Sequence, residues 1–312
     1  MDMNDHDVVI VGGGPAGLAA GLYTARMNLK TLLLDRGPLG GQLLNTELVE
    51  DYPGFESVLG SELATKMGDH ARKFGLEVRE FEPVKEIDKD GSAKVIRLES
   101  GEEIRTQALI MAAGGLPRYL GVTGEKEFQG RGVSYCAVCD GAFFKDEDLA
   151  VVGGGDAAVE EGEFLTRYAR KVYILHRRDH LRAQPILIDR ARANPKIEFI
   201  LEAGVKEIVG NGKVQGVKYE QFGSTRELPV GGVFIFIGFV PNSGLFKFHV
   251  DHDEAGYILT DRSLQTSEPG IWAVGDVRAQ LTKQISTAVG DGTTAAVAAA
   301  AYVSSLKDAA RV

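Results

Sequence analysis

Apolar runs that end in glycine set the frame of this chain. Val8-Val9-Ile10-Val11 feeds directly into Gly12-Gly13-Gly14-Pro15-Ala16-Gly17, and a helix-like run, Leu18 to Met27, and a second apolar run, Lys30 to Leu34, follow. A continuous apolar run without alternation suits a strand buried on both faces, so the pattern predicts strand, tight turn, helix and parallel strand. The same order returns as Leu149-Ala150-Val151-Val152, then Gly153-Gly154-Gly155-Asp156-Ala157-Ala158, a helical stretch, and Lys171-Val172-Tyr173-Ile174-Leu175. The offset is constant, 153 − 12 = 141 and 171 − 30 = 141. Two further runs, Leu109 to Met111 and Ile271 to Val274, end in Ala112-Ala113-Gly114-Gly115 and Gly275-Asp276.

Each glycine of such a turn has a mechanical task. The first makes the tight turn, the second lets backbone approach a pyrophosphate, and the third small residue lets helix pack on strand, which leaves the helix N-terminus aimed at phosphates. Two copies in register predict an α/β protein with two Rossmann-like nucleotide-binding domains. A strand ending in Gly275-Asp276 beyond the second copy predicts that the chain returns to finish the first domain. The expected division is 1–117, an inserted domain at 118–243, and 244–312. The alanine-rich stretch Thr293 to Ala301 predicts a closely packed helix.

The copies differ where they would meet ribose. In the first, Asp35 stands 35 − 12 = 23 residues after the first glycine, where a carboxylate accepts hydrogen bonds from ribose hydroxyls. In the second, 176 − 153 = 23 brings His176-Arg177-Arg178, with Arg182 close behind. Guanidinium forks match a 2′-phosphate, so this copy reads as an NADPH site. The Gly-Asp strand end, followed by Lys283-Gln284 and a helix from about Ile285, gives the first copy the character of an FAD site, with Asp276 at a ribityl hydroxyl.

Composition narrows the partners. A formal charge of −9 and the lack of a basic block argue against nucleic acid. The longest apolar run, Val230 to Val240, contains glycines and is about half of the ~20 residues a membrane helix needs, so it reads as a buried strand and no membrane span is expected. The short acidic start, running straight into a strand, points to the cytoplasm.

Only two cysteines occur, Cys136 and Cys139, in Ser134-Tyr135-Cys136-Ala137-Val138-Cys139-Asp140-Gly141, just ahead of the second glycine turn. A zinc site needs a second ligand pair and none exists, so no metal is expected. In a reducing compartment a lone Cys-x-x-Cys reads as a working redox pair.

Taken together, the glycine turns, Gly40-Gly41-Gln42, the Cys-x-x-Cys-Asp motif, His176-Arg177-Arg178-x-x-x-Arg182-Ala183 and Gly275-Asp276 with Gln284 closely resemble the low-molecular-weight thioredoxin reductases, over nearly the whole chain. The resemblance implies a homodimer, thioredoxin or a thioredoxin-like protein as substrate, and electron flow from NADPH to FAD to the Cys136-Cys139 disulfide and on by thiol–disulfide exchange. It makes Cys136 the interchange thiol, Cys139 the sulfur nearer the flavin, and Asp140 the proton carrier. For FAD it implies Gly12, Gly14, Pro15 and Ala16, then Asp35 and Arg36, then Gly40, Gly41, Gln42, Leu43 and Asn45. Val84, Ala113 and Gly114 follow, with Gly275, Asp276, Lys283, Gln284 and Ile285 near the end of the chain. For NADPH it implies Gly153, Gly155, Asp156, Ala157 and Ala158 with His176, Arg177, Arg178 and Arg182. Many members read Ala-Thr-Gly where this chain has Ala112-Ala113-Gly114. Asp156 stands where Asn is also common, and is expected to face away from the pyrophosphate as a helix N-cap. Phe143 and Phe144, with Arg131, are candidates for a partner-docking surface. Readings that keep the dithiol remain beside this one: a dithiol oxidase, a ferredoxin-driven reductase, and a non-catalytic redox sensor. The arginines disfavour the first two.

Overall fold

In the computed structural model, which describes residues 5–46 and 48–309, the chain divides into Met1–Leu116 with Val240–Val312, and Pro117–Phe239. The crossings therefore fall at 116/117 and 239/240, against 117/118 and 243/244 in the sequence reading.

The first unit begins with β1 (Asp5–Val11), α1 (Pro15–Arg26) and β2 (Thr31–Leu34). The helix starts inside the glycine turn, at Pro15, because proline presets the helical φ and its missing N–H is no loss at a first helical position. A short ribbon, β3 (Leu48–Val49) with β4 (Val58–Leu59), precedes α2 (Gly60–Lys73), β5 (Glu77–Arg79), β6 (Val84–Asp90), β7 (Ala93–Leu98) and β8 (Glu103–Met111). The strands run β5-β2-β1-β8-β7-β6, parallel as far as β8 and antiparallel beyond it. After β9 (Gly115–Pro117) the chain enters the second unit.

That unit contains β10 (Val133–Ser134), α3 (Ala137–Asp140), β11 (Asp148–Gly153), α4 (Asp156–Leu165), β12 (Lys171–Leu175), α5 (Pro185–Ala193) and β13 (Ile197–Ile200). An antiparallel sheet of β14 (Gly204–Asn211), β15 (Lys213–Gln221) and β16 (Ser224–Pro229) leads into β17 (Gly232–Phe236). The parallel sheet is ordered β10-β17-β11-β12-β13. The chain leaves through β18 (Phe239–Pro241), which pairs with β9, and completes the first unit with β19 (Ile271–Ala273) and the long α6 (Ile285–Ala309). β19 lies parallel to the C-terminal half of β8, Ile271 opposite Leu109.

Successive side chains of a strand point to opposite faces, so each apolar run serves two cores. Val8 and Ile10 pack with α1 and α6, while Val9 and Val11 pack with Ile87, Ile96 and Ile258. In the second unit Leu149 and Val151 join α4, whereas Ala150 and Val152 join the antiparallel sheet through Val217 and Tyr219.

In the first unit α1 and α6 pack closely against each other. A Cβ at Gly292 would run into the Ala16 carbonyl oxygen and lie 2.9 Å from the Ala20 nitrogen, so the helices approach backbone to backbone. Gly292→Val is expected to destabilise the protein by about 1–3 kcal/mol through overpacking. A thermal melt of the purified protein checks this; an unshifted melt would contradict the close approach.

Candidate active site and nucleotide sites

Both glycine turns end at a helix N-terminus that no side chain caps. Gly14 is the N-cap of α1 and Gly155 that of α4, each with extended backbone and no side-chain hydrogen bond. A Cβ at Gly155 would meet nothing within 4 Å, and one at Gly14 would meet only the Gly41 Cα, at 3.9 Å. Open space over unsatisfied N–H groups is what a pyrophosphate occupies. The neighbouring glycines are closed instead: a Cβ on Gly12 or Gly17 would strike backbone, and a Cβ on Gly153 would lie 2.6 Å from that of Ala158. The Gly13 carbonyl accepts the Gly40 N–H at 2.8 Å, which lays the Gly40-Gly41 loop against the first turn. Gln42 and Asn45 hydrogen-bond to each other beyond it at 3.0 Å.

A cavity of about 400 Å³ opens in the first unit beside Gly12, Asp35, Arg36, Val84 and Ala113. Glu82, Glu99 and Asn242 line it too and carried no signal in the sequence. Asp35 is fixed there from two sides, its oxygens accepting Gly13 N–H at 2.5 Å and Gly37 N–H at 2.8 Å. Asn242 donates to the Ala113 carbonyl at 2.8 Å, so the returning chain braces the Ala113-Gly114 turn. Gln42, Leu43, Asn45, Gly275, Asp276, Lys283, Gln284 and Ile285 lie outside this cavity. Of these, Leu43 and Ile285 meet in one apolar cluster.

Asp276 occupies a turn supported from α6. The Asp291 carboxylate accepts the Gly275 N–H at 3.0 Å and pairs with Arg278 at 3.3 Å. Lys283 donates to the Asp276 carbonyl at 2.9 Å, with its Nζ 3.6 Å from the centre of the Tyr257 ring. Burial raises the Asp276 carboxyl above the ordinary carboxylate range; the Asp291 charge adds to this and Lys283 opposes it. Burial likewise lowers Lys283, against the pull of Asp276.

In the second unit Cys136 and Cys139 are joined as a disulfide with Cα atoms 5.4 Å apart. Cys136 is the N-cap of the short α3, and its Sγ accepts the Cys139 N–H at 3.2 Å. The buried Ser134, at the end of β10, ties the motif together. Its Oγ accepts the Cys136 N–H at 3.1 Å and lies 2.6 Å from Asp140 Oδ2 and 3.2 Å from the Cys136 carbonyl. A hydroxyl has one proton, and the shorter contact to Asp140 takes it. Glu125, 1% exposed, accepts N–H groups of Leu120 and Gly121 and the Tyr135 hydroxyl, all within 2.8 Å. Burial, reinforced by Glu125, pushes the Tyr135 phenol up, which keeps it a donor. Neither Ser134 nor Glu125 was assigned a role from the sequence. The two phenylalanines part: Phe143 is 82% exposed, whereas Phe144 packs edge-on against buried Phe234 at 5.3 Å and belongs to the core.

Arg177, Arg178 and Arg182 are exposed around the end of β12. His176 beside them is buried, and a Cβ on Gly154 would lie 2.5 Å from its Cε1, so the imidazole lies under the glycine turn. Burial and then the charge of Arg182, Arg178 and Arg177 hold His176 below the ordinary histidine range, against a backbone hydrogen bond with Gly153. Asp156 corrects the expectation of an N-cap: it is the first residue of α4, after the cap, and its carboxylate accepts the backbone N–H and side-chain amide of Gln184, at 2.7 and 3.2 Å. Ala157 is exposed beside it on α4 and Ala158 buried.

Two glycine-turn nucleotide units and a redox disulfide define a pyridine nucleotide-disulphide oxidoreductase, and the family of that description matches residues 6–292. Thioredoxin reductases of Listeria innocua and Bacillus subtilis are each 51% identical to this chain, covering 97% of it and 96% of their own lengths. The crystal structure of Lactococcus lactis thioredoxin reductase superposes with a TM-score of 0.92 at 46% identity, over 96% of this chain and 99% of that one. The chain belongs to the thioredoxin reductase family of these flavoprotein oxidoreductases, whose cofactors are FAD and NADPH. Its residues fit both: two helix N-termini under open glycines, a carboxylate fixed just beyond β2 and three exposed arginines beyond β12.

The raised Asp276 carries a pH signature. Unfolded, it ionises near its ordinary value of 3.8; folded, it holds its proton to higher pH, so its contribution to stability falls as pH rises through that window. Asp276→Asn is therefore expected to raise the melting temperature of flavin-stripped protein at pH 7, with the gain shrinking as pH falls towards 4. A gain independent of pH would contradict the burial of an ionised carboxylate.

Proposed function

We propose that this chain is an NADPH-dependent reductase of the thioredoxin disulfide, with Cys136 and Cys139 as its redox thiols. The observation that carries the reading is the Cys136–Cys139 disulfide at a helix N-terminus, with Asp140 held beside it through Ser134. FAD and NADPH, when bound, supply the two-electron reduction of this disulfide. The first unit would hold FAD through the Gly12 turn, Asp35 and the Gly275-Asp276 turn, and the second NADPH through the Gly153 turn and the arginines.

Reduction of the pair takes two electrons and two protons and leaves two thiols. After reduction Cys136 is the attacking thiolate; in the disulfide its Sγ accepts the Cys139 N–H. That thiolate attacks the thioredoxin disulfide, forming a mixed disulfide and releasing one thioredoxin thiolate. Cys139 then attacks Cys136 Sγ, re-forming the internal disulfide and freeing the second thiol of the partner. Asp140 takes and returns the proton, and Ser134 holds its carboxylate in place. The dithiol and the proposed NADPH residues both belong to the second unit. The exposed Phe143 fits a contact for the partner's active-site loop. The protein works as a homodimer in the cytoplasm, where a lone Cys-x-x-Cys serves redox exchange; among the described residues no helix is long and apolar enough to cross a membrane.

The test follows NADPH oxidation with disulfide thioredoxin, repeated with NADH and without thioredoxin. Fast thioredoxin-dependent consumption, abolished in Cys139→Ser, is expected; flavin reduced by ferredoxin and not by NADPH would overturn the reading. Asp140→Asn is expected to lower thioredoxin turnover about a hundred-fold with normal flavin reduction, in keeping with a lost proton carrier. Undiminished turnover removes that role. Phe143→Ala is expected to raise KM for thioredoxin about ten-fold with little change in kcat, as lost binding contacts do.

A further inference from the structure

The exposed arginines around β12 are long, flexible side chains, and what directs them is the backbone that carries them. That backbone is fastened at two places. At its start the His176 carbonyl accepts Ala203 N–H at 2.9 Å and the Arg178 carbonyl accepts Glu202 N–H at 3.0 Å. At its end it is fastened to the glycine turn: Arg182 N–H donates to the Gly154 carbonyl at 2.6 Å, and two residues later Gln184 donates to Asp156 from its backbone and its side chain. Gln184 is the N-cap of α5 and Pro185, next, has no N–H, so Asp156 takes the last backbone donor before that helix. The carboxylate also lies where the α5 N-terminus favours negative charge.

We propose that Asp156 and Gln184 are a positioning pair that sets the preference of the second unit for a dinucleotide bearing a 2′-phosphate over its unphosphorylated counterpart. The inference rests on the reading that Arg177, Arg178 and Arg182 receive that phosphate. The pyrophosphate meets the glycine turn and the N-terminus of α4, and both nucleotides present it alike. Only the 2′-phosphate reads the arginine segment, so loosening the far end of that segment costs discrimination more than general affinity.

Charge and position act in opposite directions here, which makes the pair separable. Deleting the Asp156 carboxylate removes a negative charge near bound phosphates and by itself would tighten anion binding. Asp156→Ala and Asp156→Asn both delete that charge, yet only Asn keeps an oxygen for the Gln184 N–H. A conserved hydrogen bond in one variant and its loss in the other isolates the positional effect.

The experiment is calorimetric titration of FAD-loaded full-length protein with 2′,5′-ADP and with 5′-AMP, probes that need no turnover. The unsubstituted protein is expected to prefer 2′,5′-ADP. Asp156→Ala is expected to lose about ten-fold of that preference, Asp156→Asn to keep it within about two-fold, and Gln184→Ala, which retains its backbone donor, to lose about three-fold. Equal preference in the Ala and Asn variants overturns the inference and leaves the arginine reading intact. No preference in the unsubstituted protein overturns the arginine reading and the inference with it. Gln184 is exposed, so Gln184→Ala carries the test if Asp156→Ala does not fold; preference equal to that of the unsubstituted protein then overturns the pair.

Discussion

Two glycine turns that each end at a helix N-terminus are the constraint on which the rest of this molecule is arranged. A serine, threonine or aspartate at the cap position would satisfy the first N–H groups of a helix. Here α1 and α4 begin after Gly14 and Gly155, and no side chain takes their first N–H groups. Everything near each turn is subordinate to keeping that space open and that backbone in place. Gly12 and Gly153 bring strand backbone close, Gly17 and Ala158 pack the helix down, and Gly40 or His176 supports the turn from the side.

Polar groups follow the same logic of support at one remove. Asp35 is aimed by two backbone N–H groups, Asp140 by Ser134, and the Gly275-Asp276 turn by Asp291. In each case the group proposed to meet a ligand or a proton is held by one with no chemistry of its own. The cost appears at Asp276, where an enclosed carboxyl sits near a second carboxylate and an incompletely compensating lysine. A buried ionisable group kept against its intrinsic preference is characteristic of sites rather than of structural cores.

The outline of this arrangement was legible in the sequence because its signals are local. Val8 to Gly17 and Leu149 to Ala158 write strand, turn and helix in contiguous residues, and Cys136 to Asp140 places the redox motif within one turn. The α/β class and both glycine turns could be read from them. Some of the supporting contacts could not, since their partners are remote along the chain: Asp156 meets Gln184 28 residues on, and Gly275 meets Asp291 16 residues on. Periodicity also fails to tell Phe143 from Phe144, adjacent residues of one type with opposite fates, because burial there depends on Phe234, far along the chain on β17. Asp156 was misread for a related reason: a carboxylate beside a helix start suggests its own cap, while the donor it serves belongs to another helix.

The threading of the chain has a consequence for biosynthesis. The first unit's sheet is missing β19, and α1 lacks α6, until residues beyond 270 have been made. The inserted unit, by contrast, is one uninterrupted segment whose parallel sheet closes with β17. On a ribosome that adds roughly 5–20 residues per second, the second unit has all of its parts several seconds before the first. The opening segment must wait through that interval with the apolar side of α1 uncovered. The part of the protein made first is therefore the part most in need of protection while it is being made.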